Sequence, residues 1–178
     1  MLFWLAVLVA VAAAIVLGLA MAKPDIFRIE RSLAINAPAD AIFPLVADFH
    51  NWTQWSPWEG IDPDMKRTFS GAESGVGAVY AWEGNKKVGS GRMRITRADP
   101  GGVALDLSFF APMKAENKTD IALVPQGGGT RVDWAMHGPQ PFMSKLFGVF
   151  MNFDRLVGRD FEKGLANLKG VAERSKLG

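Results

Sequence analysis

The first 22 residues form an apolar run that contains no charged or polar side chain. As a helix, this run would extend about 33 Å at about 1.5 Å per residue, which matches a bilayer hydrocarbon core of about 30 Å. Pro24 would end such a helix promptly. The pattern therefore predicts a transmembrane anchor over residues 1–22, a short linker over residues 23–25 and a folded domain over residues 26–175.

A cleaved signal peptide is the alternative interpretation, because residues 20–22 have the small-x-small form of a cleavage site. Against cleavage, no basic residue precedes the run, which is longer than the usual signal core of about 7–15 residues. The nearest basic residues, Lys23, Arg28 and Arg31, follow the helix. The positive-inside rule then predicts a single-pass membrane protein with a cytoplasmic domain. A periplasmic or otherwise extracytoplasmic domain stays open as the alternative.

From residue 26 the chain changes to alternating apolar and polar positions, which is typical of half-buried β-strands. Residues 26–36 form the first such segment. Residues 37–58 predict two short helices, of which the second carries three tryptophans at every third position. Six further alternating segments follow up to residue 137, separated by turn-forming Gly, Pro, Asn and Asp. Together they predict about seven antiparallel strands with one apolar face.

After residues 138–141 the apolar period becomes helical, and one broad stripe continues to residue 171. This pattern predicts a single C-terminal helix of roughly thirty residues. Its glycines each cost about 1 kcal/mol relative to Ala, so close packing or a bend is expected at them. The helix is the only predicted element large enough to cover the apolar face of the sheet. Since a curved sheet does not close flush on a straight helix, we expect an α+β fold with an apolar cavity between them.

Composition limits the chemistry that this domain can perform. The chain contains no cysteine and only two histidines, His50 and His137. Disulfides, thiolate metal sites and multi-histidine metal centres are therefore excluded, and we expect neither a metal nor a cofactor. The net charge of +2, without a basic run, argues against nucleic-acid binding. The 12 Phe, 6 Trp and 8 Met residues favour an apolar partner instead.

Several segments resemble the SRPBCC, or START-like, superfamily, in its group of polyketide cyclases/dehydrases and lipid-transport proteins. They are IERSLAINAP (29–38), Asp48 with WTQWSPW (52–58), VGSG (88–91), GGTRVDW (128–134) and GRDFEKGL (158–165). The resemblance implies a helix-grip fold, in which a curved sheet wraps around the long C-terminal helix, and a hydrophobic ligand cavity. It implies no single reaction, because the superfamily includes lipid carriers, cyclases and receptors.

The candidate ligand-binding residues are the expected inward-facing side chains of the sheet, one tryptophan of the aromatic segment and the aromatic start of the C-terminal helix. They are Trp55, Tyr80, Trp82, Met93, Leu105, Leu107, Phe109, Asn117, Trp134, Met136, Phe147, Phe150 and Met151. In a closed fold the same residues would form a plain core. The tryptophans of residues 52–58 would then close one end of that core instead of lining a cavity mouth.

Five polar residues have competing interpretations. The hydroxyl of Tyr80 would either orient a ligand head group or bond a backbone carbonyl. Asn117 shares its strand parity with apolar neighbours, so it could anchor a ligand or find a partner within the protein. Arg31 is a charge on an apolar strand side, which favours an ion pair over ligand binding. His50 and His137 have no Ser or carboxylate motif beside them, so we expect surface or capping roles and assign no catalytic residue.

These observations support three hypotheses about function. The first is a membrane-anchored binding or transport module for a lipid or other hydrophobic small molecule. The second is a polyketide cyclase/dehydratase-like enzyme, with Tyr80, Asn117 and His137 as its polar participants. The third is a structural interaction protein whose cavity is filled by aromatic side chains of its own C-terminal helix. The sequence leaves open the ligand, the presence of any catalysis and the oligomeric state.

Overall fold

A computed structural model describes residues 1–174, so the predicted end of the domain at Ser175 lies just outside the described residues. Helix α1 spans Leu2–Met21, and almost all of its side chains are exposed; Ala20, in the last turn, is buried. Among the described residues it is the one helix that is long and apolar enough to cross a membrane. An anchor and a signal sequence share this property.

Seven strands form a single antiparallel sheet, as the alternating pattern predicted. They are β1 (Ile26–Ile35), β2 (Lys66–Gly71), β3 (Ala78–Glu83), β4 (Ser90–Asp99), β5 (Gly102–Ala111), β6 (Ala115–Gln126) and β7 (Gly129–Pro139). Their order in the sheet is β1-β7-β6-β5-β4-β3-β2, so the first strand lies at one edge beside the last. Because side chains alternate along a strand, most of the large apolar side chains of the seven strands lie on one face, here called the inner face.

The two ends of this sheet have different surroundings. Ile26 pairs with Pro139, so β1 begins and β7 ends at the same end of the sheet, next to the end of α1. The antiparallel registers place the β3–β4 and β5–β6 turns at this end as well. We call it the proximal end. The β6–β7 turn lies at the opposite, distal end.

Three helices adjoin the sheet. They are α2 (Ala39–Ala47), as predicted, α3 (Phe49–Trp52) and α5 (Phe153–Arg174). The second short helix differs from the prediction, because α3 ends at Trp52, and Trp55 and Trp58 lie in the turns that follow. Helix α5 lies on the inner face against β1 and β7, and α2 contacts β5 and β6. The α+β helix-grip architecture is therefore confirmed.

Arg31 of the edge strand β1 forms ion pairs with two residues of α5. Its Nη2 lies 3.0 Å from Asp154 and its Nε lies 2.9 Å from Glu162. These hydrogen bonds raise the pKa of Arg31, and the ion-pair interpretation of this residue is confirmed. Gly158 of α5 makes room for the guanidinium, since a Cβ at that position would lie 2.0 Å from Nη2.

The C-terminal region contains two helices, so the prediction of one helix of roughly thirty residues was wrong. Helix α4 spans Phe142–Phe150, after which Met151 is extended. The side chain of Asn152 then accepts a hydrogen bond from the Arg155 backbone N–H at 2.9 Å, which caps the start of α5. Helix α4 packs against α1, whereas α5 packs against the sheet. A local cap therefore interrupts an apolar period that is continuous in the sequence.

Candidate ligand-binding site

Aromatic side chains fill the middle of the inner face. Trp134 of β7 stacks on Phe161 of α5, with ring centroids 4.3 Å apart and planes inclined by 4°. Trp58 meets these two rings edge-on at 5.8 and 6.2 Å, and Trp55 lies 5.4 Å from Trp134. The segment of residues 52–58 therefore occupies much of the space that was predicted to be a cavity. The structure supports the core-closing interpretation of these tryptophans.

The end of α2 holds this aromatic segment in place. The indole N–H of Trp52 donates to the carbonyl of Val46 at 3.1 Å, and that of Trp55 donates to the carbonyl of Leu45 at 2.9 Å. Carbonyls in the last turn of a helix lack partners within the helix, so these indoles satisfy them. Both tryptophans thus have a structural role with their polar atoms already bonded.

The proximal end of the inner face is covered less completely. Trp82, Met93 and Phe109 are half-buried there, on the neighbouring strands β3, β4 and β5. Behind them, Leu107 and Met136 retain 9 and 8 % exposure. These five residues form a partly exposed apolar area at the proximal end, here called the opening of the inner face.

Three buried polar side chains lie on the same face. Asn117 and Thr119 of β6 and Trp134 of β7 are 8, 3 and 2 % exposed. Within residues 1–174, neither the Thr119 hydroxyl nor the Trp134 indole N–H has a hydrogen-bond partner. A buried polar group without a partner costs about 1–3 kcal/mol, so two such groups on adjacent strands call for an explanation.

Gly138 makes space for Asn117 on this face. A Cβ at position 138 would lie 2.2 Å from the carboxamide oxygen of Asn117. A glycine within a strand often marks such a close approach. The placement of Asn117 on the inner face agrees with the strand parity in the sequence, and its proposed contact with a ligand stays a prediction.

The structure brings most of the candidate site residues together. Those on the inner face of the sheet are Tyr80, Trp82, Met93, Leu105, Leu107, Phe109, Asn117, Trp134 and Met136, with Trp55 packed onto them. Phe147, Phe150 and Met151 lie elsewhere, with 50, 73 and 49 % exposure. Because the break at Asn152 separates α4 from α5, these three side chains do not line the space between sheet and helix.

Tyr80 is bound by a carboxylate that the sequence did not reveal. Its hydroxyl donates to Glu59 at 2.9 Å, and Glu59 also accepts from Arg67 at 2.6 and 2.8 Å. Burial, and then the negative charge of Glu59, raises the pKa of Tyr80, so the phenol stays protonated near neutral pH. Neither interpretation of Tyr80 anticipated this contact. Glu59 lies in a loop without periodicity, so no pattern pointed to it.

The polar participants of the enzyme hypothesis do not converge. Asn117 faces inwards and Tyr80 is engaged by its carboxylate, whereas His137 alternates onto the outer face. There, the His137 Nδ1 lies 3.9 Å from Asp120. His50 is exposed in α3, with its Nδ1 2.9 Å from Asp48. His50 thus occupies a surface position, as predicted, whereas His137 is half-buried and its Nδ1 is a buried atom without a hydrogen-bond partner among the described residues.

A concavity of about 660 Å³ lies on the outer face of the sheet, with Asn117 and Gly138 at its margin. Its lining residues include Arg92, Arg94, Asp106, Glu116, Lys118 and His137. Positive and negative side chains are mixed there, so this concavity does not match the predicted apolar cavity. Among the described residues, no group of three or more His, Asp or Glu side chains could hold a metal ion.

Solved structures share this fold at low sequence identity. Protein CV1439 from Chromobacterium violaceum is 15 % identical, with a TM-score of 0.57 over 85 % of this chain and 99 % of that chain. Ara h 8.0201 is 11 % identical, with a TM-score of 0.58 over 84 % of this chain and 99 % of its own. The di-domain ARO/CYC StfQ from the steffimycin biosynthetic pathway is 9 % identical, with a TM-score of 0.63 over 85 % of this chain and 52 % of its own. At these identities the likeness shows the fold alone.

No curated protein matches the chain in sequence. A family model described as polyketide cyclase/dehydrase and lipid transport matches residues 27–173. The match extends from the second residue of β1 into the last turn of α5, and it includes the whole inner face. The chain therefore belongs to the polyketide cyclase/dehydrase and lipid transport family.

Proposed function

We propose that this protein is a membrane-anchored module that binds or carries a lipid or other apolar small molecule at the proximal end of the inner face. The observation that carries the proposal is the pair of unpartnered polar groups, Thr119 Oγ1 and Trp134 Nε1, behind an apolar opening. Membership of a family that includes lipid-transport proteins supports the same conclusion.

The polar groups indicate the kind of ligand. An indole N–H can only donate, a threonine hydroxyl can donate or accept, and the Asn117 carboxamide can do both. The complementary ligand has a largely apolar body and an oxygen atom that accepts hydrogen bonds. Removing about 300 Å² of its apolar surface from water would contribute about 7 kcal/mol before the costs of association, which corresponds to micromolar binding at best.

Helix α1 supports the membrane part of the proposal. Most of its side chains are exposed, its packing partner is α4, and the helix is long and apolar enough to span a bilayer. Lys23 and Arg28 follow it closely, which favours a cytoplasmic position for the domain.

The cyclase/dehydratase alternative has less support from the geometry. Acid–base chemistry needs groups within hydrogen-bond reach of one substrate, yet His137 lies on the outer face. The Tyr80 hydroxyl, for its part, donates to Glu59. We therefore favour binding over catalysis.

The test is native mass spectrometry of the full-length chain in detergent, followed by solvent extraction and identification of whatever is bound. We expect a stoichiometric apolar adduct that contains oxygen. Met93→Lys puts a charge at the half-buried opening and should abolish the adduct, because an apolar ligand would then lie against an ammonium group.

The matched control is Thr96→Lys, which adds the same charge to an exposed position on the same strand. This variant should retain the adduct. An adduct-free wild-type protein, or equal adducts in wild type and Met93→Lys, would contradict the proposed site.

A further inference from the structure

Helix α4 presents an apolar face to the outside of the protein. Met143, Phe147 and Phe150 are spaced at i, i+4 and i+7, so they share one side of the helix, and they are 57, 50 and 73 % exposed. Phe142 and Met151 at its two ends add 45 and 49 % exposure. A contiguous exposed apolar patch of this kind marks an interaction surface.

The opposite side of α4 is fixed to the linker after α1. Lys145 is the buried residue of this helix, and its ammonium lies 2.5 Å from the carboxylate of Asp25. The backbone N–H of Gln140 also donates to the carbonyl of Asp25 at 2.7 Å. Gly148 lies close to Lys23, whose Cε would be 3.5 Å from a Cβ at that position. These contacts leave the apolar side of α4 pointing away from the linker.

The β5–β6 turn adds to this surface at the proximal end. Phe110, next to the last residue of β5, and Met113 in the turn are 49 and 64 % exposed. Lys114 in the same turn, and Lys86 and Lys87 in the β3–β4 turn, are exposed as well. Apolar side chains bordered by lysines match a lipid–water interface, where the rings enter the acyl boundary and the ammonium groups meet anionic head groups.

The position of this surface beside α1 indicates what the surface contacts. Helix α4 packs directly against α1, close to the point where a spanning helix would leave the bilayer. We propose that α4 and the tip of the β5–β6 turn insert into the membrane interface, so that the proximal opening of the inner face abuts the lipid. This inference rests on the membrane anchor of the proposed function.

The arrangement also specifies the source of the ligand. If the opening contacts the membrane interface, a molecule can enter it from the acyl-chain region without crossing water. The ligand class would then be lipids or apolar metabolites dissolved in the bilayer, taken up from the leaflet that α4 contacts.

The absence of cysteine in the chain makes the test direct. The single-cysteine variants Phe147→Cys and Met113→Cys would carry an environment-sensitive fluorophore in the full-length protein, reconstituted in vesicles of phosphatidylcholine and phosphatidylglycerol. The matched control is a cysteine at Val76, an apolar residue with 59 % exposure in the β2–β3 connection at the distal end. Flotation of the vesicles on a density gradient tests separately whether the protein is anchored in the membrane.

We expect blue-shifted emission at positions 147 and 113, quenched by lipids that carry a nitroxide in the acyl chain, and water-like emission at position 76. Water-like emission at all three positions in a chain that floats with the vesicles would overturn the interfacial surface and leave the anchor intact. A chain that fails to float would overturn the anchor and this inference together. A blue shift that lipid nitroxides do not quench, and that grows with the protein-to-lipid ratio, would assign the surface to a second copy of the chain and overturn the inference.

Discussion

At the scale of single residues, two buried threonines of the sheet differ in one respect. Thr130 is 1 % exposed and donates a hydrogen bond to the carbonyl of Ala37 at 2.8 Å. Thr119 is 3 % exposed, and its hydroxyl has no partner within the described chain. A buried hydroxyl without a hydrogen-bond partner lowers stability, and a ligand that supplied the missing partner would account for its presence.

Replacing Thr119 with valine should therefore stabilise the free protein and weaken its ligand complex. We expect the free energy of unfolding to rise by about 1 kcal/mol, because an unsatisfied group is removed at nearly constant volume. Urea unfolding of the full-length protein in detergent, followed by tryptophan fluorescence, measures this change. Thr130→Val is the control and should lose about 1–3 kcal/mol, since the carbonyl of Ala37 is left without a donor. Equal destabilisation by both substitutions would show that Thr119 has an ordinary structural role.

At the scale of elements, the strands follow the sequence pattern and the C-terminal helix departs from it. Alternation within a strand is local, so most of the seven strands could be predicted from period two and from the turn residues between them. The break between α4 and α5 depends on Asn152 acting as a cap, and the apolar stripe continues across that break. The same break explains why Phe147 and Phe150 were assigned to the wrong surroundings. Their apolar character was evident from the sequence. Their neighbours, however, depend on the direction that α4 takes, and α4 packs against α1 instead of the sheet.

The glycines of α5 show which positions pack closely. A Cβ on Gly164 would lie 2.6 Å from the ring of Trp134 and 2.9 Å from Pro57, whereas one on Gly170 would first meet the end of the Arg174 side chain at 3.7 Å. Gly164→Ala should therefore lower the free energy of unfolding by about 1–3 kcal/mol through overpacking. Gly170→Ala should raise it by up to about 1 kcal/mol through helix propensity. Thermal unfolding of both variants compares them directly, and a stabilising Gly164→Ala would mean that α5 lies further from the sheet than described.

At the scale of the whole molecule, the proximal end joins three parts of the protein. The linker after α1, helix α4 and the opening of the inner face all lie at that end. The ion pair between Lys145 and Asp25 connects the first two. Its hydrogen bond from Lys145 lowers the pKa of Asp25, so the pair contributes its full stability above the ordinary Asp pKa of about 3.9. That stability is lost as the pH falls through the lowered pKa, because protonated Asp25 no longer attracts the ammonium group.

Asp25→Ala should release α4 from the linker, since the buried ammonium of Lys145 loses its carboxylate partner. We expect trypsin to cleave after Lys145 faster in this variant than in the wild type at neutral pH, with the rate read from fragment masses. The control is Glu30→Ala, which removes an exposed carboxylate paired with Arg28 on the outer side of β1. If cleavage after Lys145 were equally fast in Asp25→Ala, Glu30→Ala and the wild type, the ion pair would not hold α4.

The sequence by itself determined the anchor candidate, the seven strands, the inner face and the apolar character of the site, because each depends on local periodicity and composition. Only the tertiary structure decided which of these residues meet. It placed the tryptophans of residues 52–58 in the expected cavity, Glu59 on Tyr80, and α4 beside α1. It also showed that Thr119 and Trp134 are buried without partners. These facts depend on contacts between segments far apart in the chain, and such contacts leave no periodic pattern in the sequence.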